Sequence, residues 1–337
     1  MASGIVDLRS DTVTSPDRAM RAAMASAEVG DDAYGEDPTV RSLEEAFAAR
    51  VGKQAALFVC SGLMGNQVAL RCLTNPGSLV VAGATQHVVA YEHGAAGRNA
   101  GVQFHAVCDS SGSFGPDDVT YAMDSSRHHH PQVSLVCAED THMASGGRPW
   151  AAGSLAAVAA AAGSVPVHLD GARLFNAEVA TGVGAGVRAA AAVTVMCCLS
   201  KGLGAPVGSL LAGPADVIAQ ARTERTVLGG TMRQAGVLAA AGLVALGNVE
   251  RLAEDHRRAS RLGTAVAERW SGALADLPST NIVTFDHPAA DELTDHMRRH
   301  GVLIGTVAPN RVRMVTHLDV DDPGLERACA AVASAPD

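Results

Sequence analysis

A chain of 337 residues that is 47% hydrophobic can bury a large core, but with only 3% aromatics that core must be built from Ala, Val and Leu. A formal net charge of −9 without basic runs argues against nucleic acid or an anionic membrane surface as the main partner. The start lacks the charged-then-apolar pattern of a signal peptide, and no uncharged apolar stretch reaches the ~18 residues of a membrane span. Seven cysteines without CxxC spacing predict reduced core thiols in a cytoplasmic protein.

From Ile5 to Thr12 the chain reads as a short strand-like arm. Pro16 stands near the start of an amphipathic segment from Arg18 to Ala27, where proline is tolerated. Gly30 to Pro38 has the turn residues of a long loop, and helix follows from Thr39 to Val51. Strand then runs from Ala55 to Cys60, a Ser61-Gly62 turn follows, and helix runs from Leu63 to Leu73. Further strands are expected from Ser78 to Val81, Val133 to Ala138, Val165 to Leu169 and Val193 to Leu199, with an Ala-rich helix over 151–163. Strands separated by helical lengths mean βαβ units and a mostly parallel sheet covered on both faces.

After Met232, long Ala/Leu/Arg helices continue to about Leu274. Strand from Asn281 to Phe285, helix from Ala290 to His300, strands from Val302 to Val307 and Arg311 to Val315, and a closing helix from Asp322 to Ser334 make a small α+β unit. The expected fold class is therefore α/β. Residues 1–245 form an arm and a large domain around the central sheet, and residues 246–337 form a small C-terminal domain.

Only two lysines occur, Lys53 and Lys201, so positive charge is carried almost entirely by arginine. Lys201 ends the apolar run Val193 to Leu199 and precedes a Gly/Pro-rich stretch, which delivers an amine to the lip of a buried sheet. Desolvation there favours the neutral, nucleophilic amine. In a parallel sheet the strand ends share the edge at which open α/β sheets bind ligands. The first polar groups beyond five strands are Ser61, Thr85 with His87, Glu139, Asp170 and Lys201, so one site holding hydroxyl, imidazole, carboxylates and amine is expected.

Lys201 and Asp170 together point to pyridoxal phosphate, which needs a lysine for its Schiff base and an acid at its ring nitrogen. Alone, an Asp after a strand is more often a helix cap. The strand-turn-helix sequence Cys60-Ser61-Gly62-Leu63 turns backbone N–H groups toward an anion, although a Ser cap explains it equally well. Arg173 and Arg313 each have the fork that grips a carboxylate. His128, His129 and His130 lack a carboxylate or thiolate at ligand spacing, so a single general-base histidine is favoured over a metal site.

Asp7-Leu8-Arg9-Ser10-Asp11-Thr12, the loop Gly30 to Pro38, Ser61-Gly62-Leu63-Met64-Gly65-Asn66, His87 with Tyr91-Glu92, His168-Leu169-Asp170-Gly171-Ala172-Arg173, Leu199-Ser200-Lys201-Gly202, Met232-Arg233-Gln234 and Val315-Thr316-His317-Leu318-Asp319 occur in this order. As a set, covering nearly the whole chain, they resemble the low-specificity L-threonine aldolases. Those are pyridoxal-phosphate enzymes of the aspartate-aminotransferase fold, fold type I. The resemblance implies retro-aldol cleavage of L-threonine or L-allo-threonine to glycine and an aldehyde, in a homotetramer built as a dimer of dimers with active sites at the dimer interface.

It further implies that Lys201 carries the cofactor, Asp170 pairs with its ring nitrogen, and His87 stacks on the ring, with either His87 or His129, directly or through water, as the base. Gly62, the amide of Leu63, Ser200 and an Arg233 lent by a neighbouring subunit hold the phosphate. Ser10, Arg173 and Arg313 fix the substrate carboxylate, His129 stands near the substrate hydroxyl, and Tyr34 belongs to an approaching loop. Leu63, Thr226, Thr231 and Asp140 depart from the family pattern, which predicts weaker cofactor retention. Alternatives are another fold-type-I lyase or transaldolase acting on a bulkier β-hydroxy amino acid, and a non-catalytic cofactor-binding homologue. A Rossmann dehydrogenase lacks its glycine fingerprint here.

Overall fold

The protein is described by a computed structural model covering residues 4–336. Its strands are β1 (Val6–Asp7), β2 (Ala55–Val59), β3 (Leu79–Gly83), β4 (Gln103–Val107), β5 (Val133–Glu139), β6 (Val167–Asp170), β7 (Thr194–Cys198), β8 (Ser209–Gly213), β9 (Ile282–Asp286), β10 (Val302–Leu303), β11 (Gly305–Ala308) and β12 (Arg311–Val315). Seven of them form the central sheet in the order β2-β8-β7-β6-β5-β3-β4. Only β8 runs antiparallel to its neighbours, so the ends of β2, β3, β5, β6 and β7 all reach one edge.

Alternation along the central strands sends side chains to two covered faces. Phe58, Val195, Cys197 and Leu210 join the core under helices Pro38–Val51 and Gly236–Gly247, whereas Leu57, Val59, Met196, Cys198 and Leu211 pack under Gly62–Leu73 and Ala215–Val227. Small residues permit close approach, as the composition predicts. A Cβ at Gly242 would stand 2.9 Å from Leu199 and Leu43 side-chain carbons.

Two sheet strands escape the sequence pattern. β4 is an edge strand whose burial is incomplete, so Gln103-Phe104-His105-Ala106-Val107 carries no continuous apolar run. β8 follows the Gly/Pro-rich turn directly. Gly208 there has φ +107, and its position lies against the Phe58 ring, where a Cβ would meet a ring carbon at 2.4 Å. Helices Pro116–Ser125 and Ala215–Val227 were likewise not foreseen.

A second core joins β9, β12 and helices Ala290–Arg299 and Asp322–Ala333. The stretch from Val302 to Val307 is not one strand. Val302 and Leu303 pair with the arm at Val6 and Asp7, while β11 pairs with β12. Val6 and Leu8 are thus buried in this second core, although they open the chain. Helix Leu252–Arg269 links the cores, with Leu252 in the first and Ala259, Leu262 and Val266 in the second. No single helix among the described residues is long and apolar enough to cross a membrane.

Candidate active site

At the shared strand edge lies a cavity of about 340 Å³ whose lining includes Ser61, Gly62, Leu63, Asn66, His87, Glu139, Asp170, Arg173, Ser200 and Lys201. Lys201 sits in the turn between β7 and β8, and its amine makes no hydrogen bond among the described residues. The other lysine contrasts with it. Lys53 Nζ is spent on the carbonyl oxygens of Ala189 and Ala192, which makes it a structural pin.

Asp170 ends β6 in a buried position. Its Oδ1 accepts the Ala172 N–H at 3.0 Å and its Oδ2 accepts the Asn66 amide at 2.7 Å, so it braces the turn after β6 and is oriented by Asn66, while helix Leu174–Thr181 has no side-chain cap. Its register partner on β5 is Glu139, whose oxygens accept the backbone N–H groups of His87 at 2.6 Å and Met143 at 2.8 Å. Burial first, and then the neighbouring Asp170 charge, push the Glu139 carboxyl above its usual range.

Helix Gly62–Leu73 begins on the cavity wall. The Ser61 hydroxyl caps the Met64 N–H at 3.2 Å, which leaves the N–H groups of Gly62 and Leu63 without an intrahelical acceptor. Gly62 lets this helix start close against β7, since a Cβ there would stand 2.6 Å from Cys198 Sγ. An anion placed here meets two N–H groups and the positive end of a helix, in a cavity that Ser200 also lines.

The His87 ring lies beside the Tyr91 ring, with centroids 5.8 Å apart, and its Nδ1 is 2.9 Å from Glu92 Oε1. Burial opposes the imidazolium. The hydrogen bond to Glu92 and the charges of Asp170 and Glu92 outweigh burial and the opposing Lys201 charge, and leave His87 above its ordinary 6.5. His87, Glu92 and Asp170 bring ligand-type atoms within 4.8 Å of one another, but those atoms are bonded to one another and to Asn66.

Arg173 is buried and held by Asp11, with Nε 2.8 Å from Oδ2 and Nη2 2.6 Å from Oδ1. Burial would raise the Asp11 carboxyl, but Arg173 overrides it and holds Asp11 well below the usual carboxylate range. Arg313 stands behind the wall, donating to the Arg9 carbonyl at 3.0 Å and approaching Met143 Sδ at 3.6 Å, while its buried Nε has no acceptor among the described residues. Burial, and then the like charge of Arg173, press Arg313 below its ordinary value. Two guanidinium groups therefore face one carboxylate, and a substrate carboxylate would complete the balance.

Of the residues expected at the site, Lys201, Asp170, His87, Gly62, Leu63, Ser200 and Arg173 line this cavity. Thr85 turns away to Asp109, at 2.9 Å. Ser10 does not line it; its hydroxyl accepts from Thr12 N–H at 3.2 Å, beside the Arg9 carbonyl that holds Arg313. Tyr34 is 78% exposed, and Arg233 faces Asp31 at 3.5 Å with its side chain 64% exposed. His129 occupies an exposed left-handed turn position, φ +62, ahead of β5 and thus at the sheet edge opposite the cavity.

The departing positions also have places. Leu63 is 37% exposed on the cavity wall. The Thr226 and Thr231 hydroxyls bond to each other at 2.7 Å. Asp140 turns out of the cavity to pair with Arg188 and accept the Trp150 N–H. Ser61 and Glu139, expected there as polar groups at strand ends, line the cavity too, whereas Asn66, Glu92 and Asp11 were not singled out for the site, although buried polar residues within the quoted motifs were the available signal.

An amine at a strand end, a carboxylate on the adjacent strand, an imidazole and an anion-binding helix start on one wall fit pyridoxal phosphate. A family model described as beta-eliminating lyase matches residues 7–290. A probable low-specificity L-threonine aldolase 2 of Arabidopsis thaliana is 41% identical over 336 residues, covering 95% of this chain and 94% of the relative. The low specificity L-threonine aldolase of Escherichia coli K12 is 38% identical over 330 residues, covering 97% and 98%. Among solved structures, a Leishmania major threonine aldolase superposes with TM-score 0.85 at 18% identity, covering 97% of this chain and 98% of that one, a likeness of fold.

Proposed function

Since the chain belongs to the beta-eliminating lyase family and, within it, to the low-specificity L-threonine aldolases, we propose that it cleaves L-threonine or L-allo-threonine to glycine and acetaldehyde. The observation that carries this reading is the single cavity uniting Lys201, Asp170, His87 and the start of helix Gly62–Leu73.

Pyridoxal phosphate, when bound, supplies a sink for the electron pair that the broken bond leaves on the α-carbon. Lys201 would hold its aldehyde carbon and Asp170 its ring nitrogen. The N–H groups of Gly62 and Leu63, Ser200 and an Arg233 from a second copy would hold its phosphate. Arg173, oriented by Asp11, and Arg313, beside Ser10, would grip the substrate carboxylate and so fix the direction of the Cα–Cβ bond. His87 presents Nε2 because Glu92 occupies Nδ1, and as base it takes the β-hydroxyl proton. The Cα–Cβ bond then breaks, the β-carbon leaves as an aldehyde, and a proton returned to the α-carbon gives glycine.

The exposure of Tyr34 and Arg233 in one chain supports a site completed by a second copy, as in a homotetramer built from dimers. His129 would serve the substrate only from such a copy. We assign the assembly to the cytoplasm on its cysteine usage, since all seven cysteines are free. The leucine at position 63 and the self-paired Thr226 and Thr231 hydroxyls support weaker cofactor retention.

The test is incubation of the cofactor-loaded enzyme with threonine, allo-threonine and a bulkier β-hydroxy amino acid. Equal amounts of glycine and aldehyde are expected. A loaded enzyme that releases aldehyde from none of them is a non-catalytic binder, and one that acts only on the bulky substrate has a shifted specificity.

A further inference from the structure

Asn66 is buried, and its carboxamide is bonded at both ends. Its Nδ2 lies 2.8 Å from Glu92 Oε1 and 2.7 Å from Asp170 Oδ2. Ionised carboxylate oxygens only accept, so the NH₂ end must face them and the carbonyl oxygen must face His168 Nε2, at 3.1 Å. That nitrogen therefore carries a proton, and His168 Nδ1 accepts the Thr194 hydroxyl at 2.8 Å. Burial, only partly opposed by Asp170, pushes His168 down to about 4, so the ring is neutral at pH 7 and locked in this tautomer.

Both carboxylates are saturated by the same network. Glu92 Oε2 accepts from Gln67 Nε2 at 2.7 Å, its Oε1 also faces His87 Nδ1, and Asp170 Oδ1 accepts the Ala172 N–H. Two buried carboxylates repel each other unless a donor stands between them. Here the two amide hydrogens of Asn66 stand between them.

We propose that Asn66 is a positioning residue whose amide nitrogen fixes Asp170 and Glu92 relative to each other, and so couples the carboxylate facing the cofactor's ring nitrogen to the protonation of His87. The role of Asp170 in this coupling rests on the pyridoxal-phosphate reading; the carboxylate pair and the imidazole are properties of the chain itself. The groups facing His87 are Glu92 following its own short helix, Asp170 from β6, Glu139 from β5 on its backbone N–H, the stacked Tyr91, and Lys201. Without the Asn66 amide, Asp170 Oδ2 and Glu92 Oε1 lose the donor they share, and neither carboxylate is held in the position it fixes. The His87 imidazolium then loses the support of a carboxylate held against Nδ1.

The experiment is an NMR titration of histidine-¹⁵N-labelled full-length protein, first without cofactor and then saturated with pyridoxal phosphate, alongside a fluorescence titration of cofactor affinity. In the wild type, His87 is expected as the Nδ1-protonated tautomer, titrating above 6.5. Asn66→Ala is expected to lower that midpoint by about one pH unit and to weaken pyridoxal phosphate binding by roughly tenfold, the equivalent of one unit of differential interaction. Asn66→Ser keeps one donor, is the milder form should the alanine variant not fold, and moves both readouts in the same directions by less. Glu92→Gln lowers the His87 midpoint while leaving cofactor affinity near wild type, because Asp170 keeps its bond from Asn66.

A folded Asn66 variant with weakened cofactor binding but an unmoved His87 midpoint overturns the proposal, since a purely structural role predicts that pattern. So does a Glu92→Gln chain in which His87 still titrates as in wild type. Threonine cleavage is not among these readouts, so a loaded enzyme that releases no aldehyde would overturn the aldolase reading and leave this test intact.

Discussion

Lys201, Asp170 and the Asn66–Glu92–His87 cluster stand at strand ends and on helical turns of one sheet unit, whereas Arg173 and Arg313 owe their positions to the N-terminal arm. Asp11 grips Arg173 across 162 residues of sequence, and the Arg9 carbonyl holds Arg313 across 304. The first wall is set by the sheet, where strand register leaves little choice of position. The second is assembled from chain segments that meet only after the arm has entered the second core through Val6 and Leu8. The groups proposed to react thus sit on the sheet unit, and those proposed to grip the substrate carboxylate are tied to the arm that enters the second core.

The contrast between the two lysines breaks first. Lys201→Ala should abolish cleavage, a loss on the order of 10⁴-fold or more, measured as glycine release at saturating substrate. Lys53→Ala removes only bonds to two carbonyls and should leave turnover near wild type while costing about 1–2 kcal/mol of stability. Equal losses from both substitutions would erase the distinction between a chemical and a structural lysine.

Asp11→Ala attacks the second wall. It leaves the buried Arg173 charge unpaired and should cost about 3–5 kcal/mol in urea denaturation, with the arm loosened from the sheet unit. Little loss of stability would mean that the arm does not hold Arg173 as tightly as the bidentate geometry implies. Arg313→Leu is expected to act more narrowly, raising KM for threonine by roughly tenfold to a hundredfold as one charge-assisted bond to the carboxylate is lost, with a smaller change in kcat.

The smallest effect sharpens the first wall. A base must be neutral to accept a proton, so the acid limb of kcat/KM should lie above 6.5, activity falling as the pH drops through the raised His87 value. The linked stability has the opposite sense. The protonated form favoured by folding contributes fully below 6.5, and that contribution is lost as pH rises through the folded value. An acid limb below 6.5 would mean that Glu92 does not govern the proton on His87.

Much of the first wall was legible from local pattern. Asp170 and Lys201 each follow a short apolar run, and Ser61-Gly62 opens a helix, so adjacency in sequence already places these groups at strand ends. The strands that were missed, β4 and β8, are those whose burial does not show as a long apolar run. Asn66, Glu92 and Asp11 were visible as polar residues in otherwise apolar or patterned stretches, but apart from His87, close to Glu92 in sequence, the partners named for them lie 25 or more residues away. No spacing rule reports such pairs.

By itself, then, the order of residues determined a mostly parallel α/β sheet, the edge at which its polar groups gather, and the amine and carboxylate that line one cavity there. These follow from period-two burial and from where apolar runs stop. Tertiary structure alone decided that Arg173 is oriented by Asp11, that β8 is inserted antiparallel beside the lysine strand, and that one amide stands between two carboxylates. The reason is that hydrogen bonds and ion pairs between distant segments depend on three-dimensional approach, which side-chain periodicity along a single element does not encode.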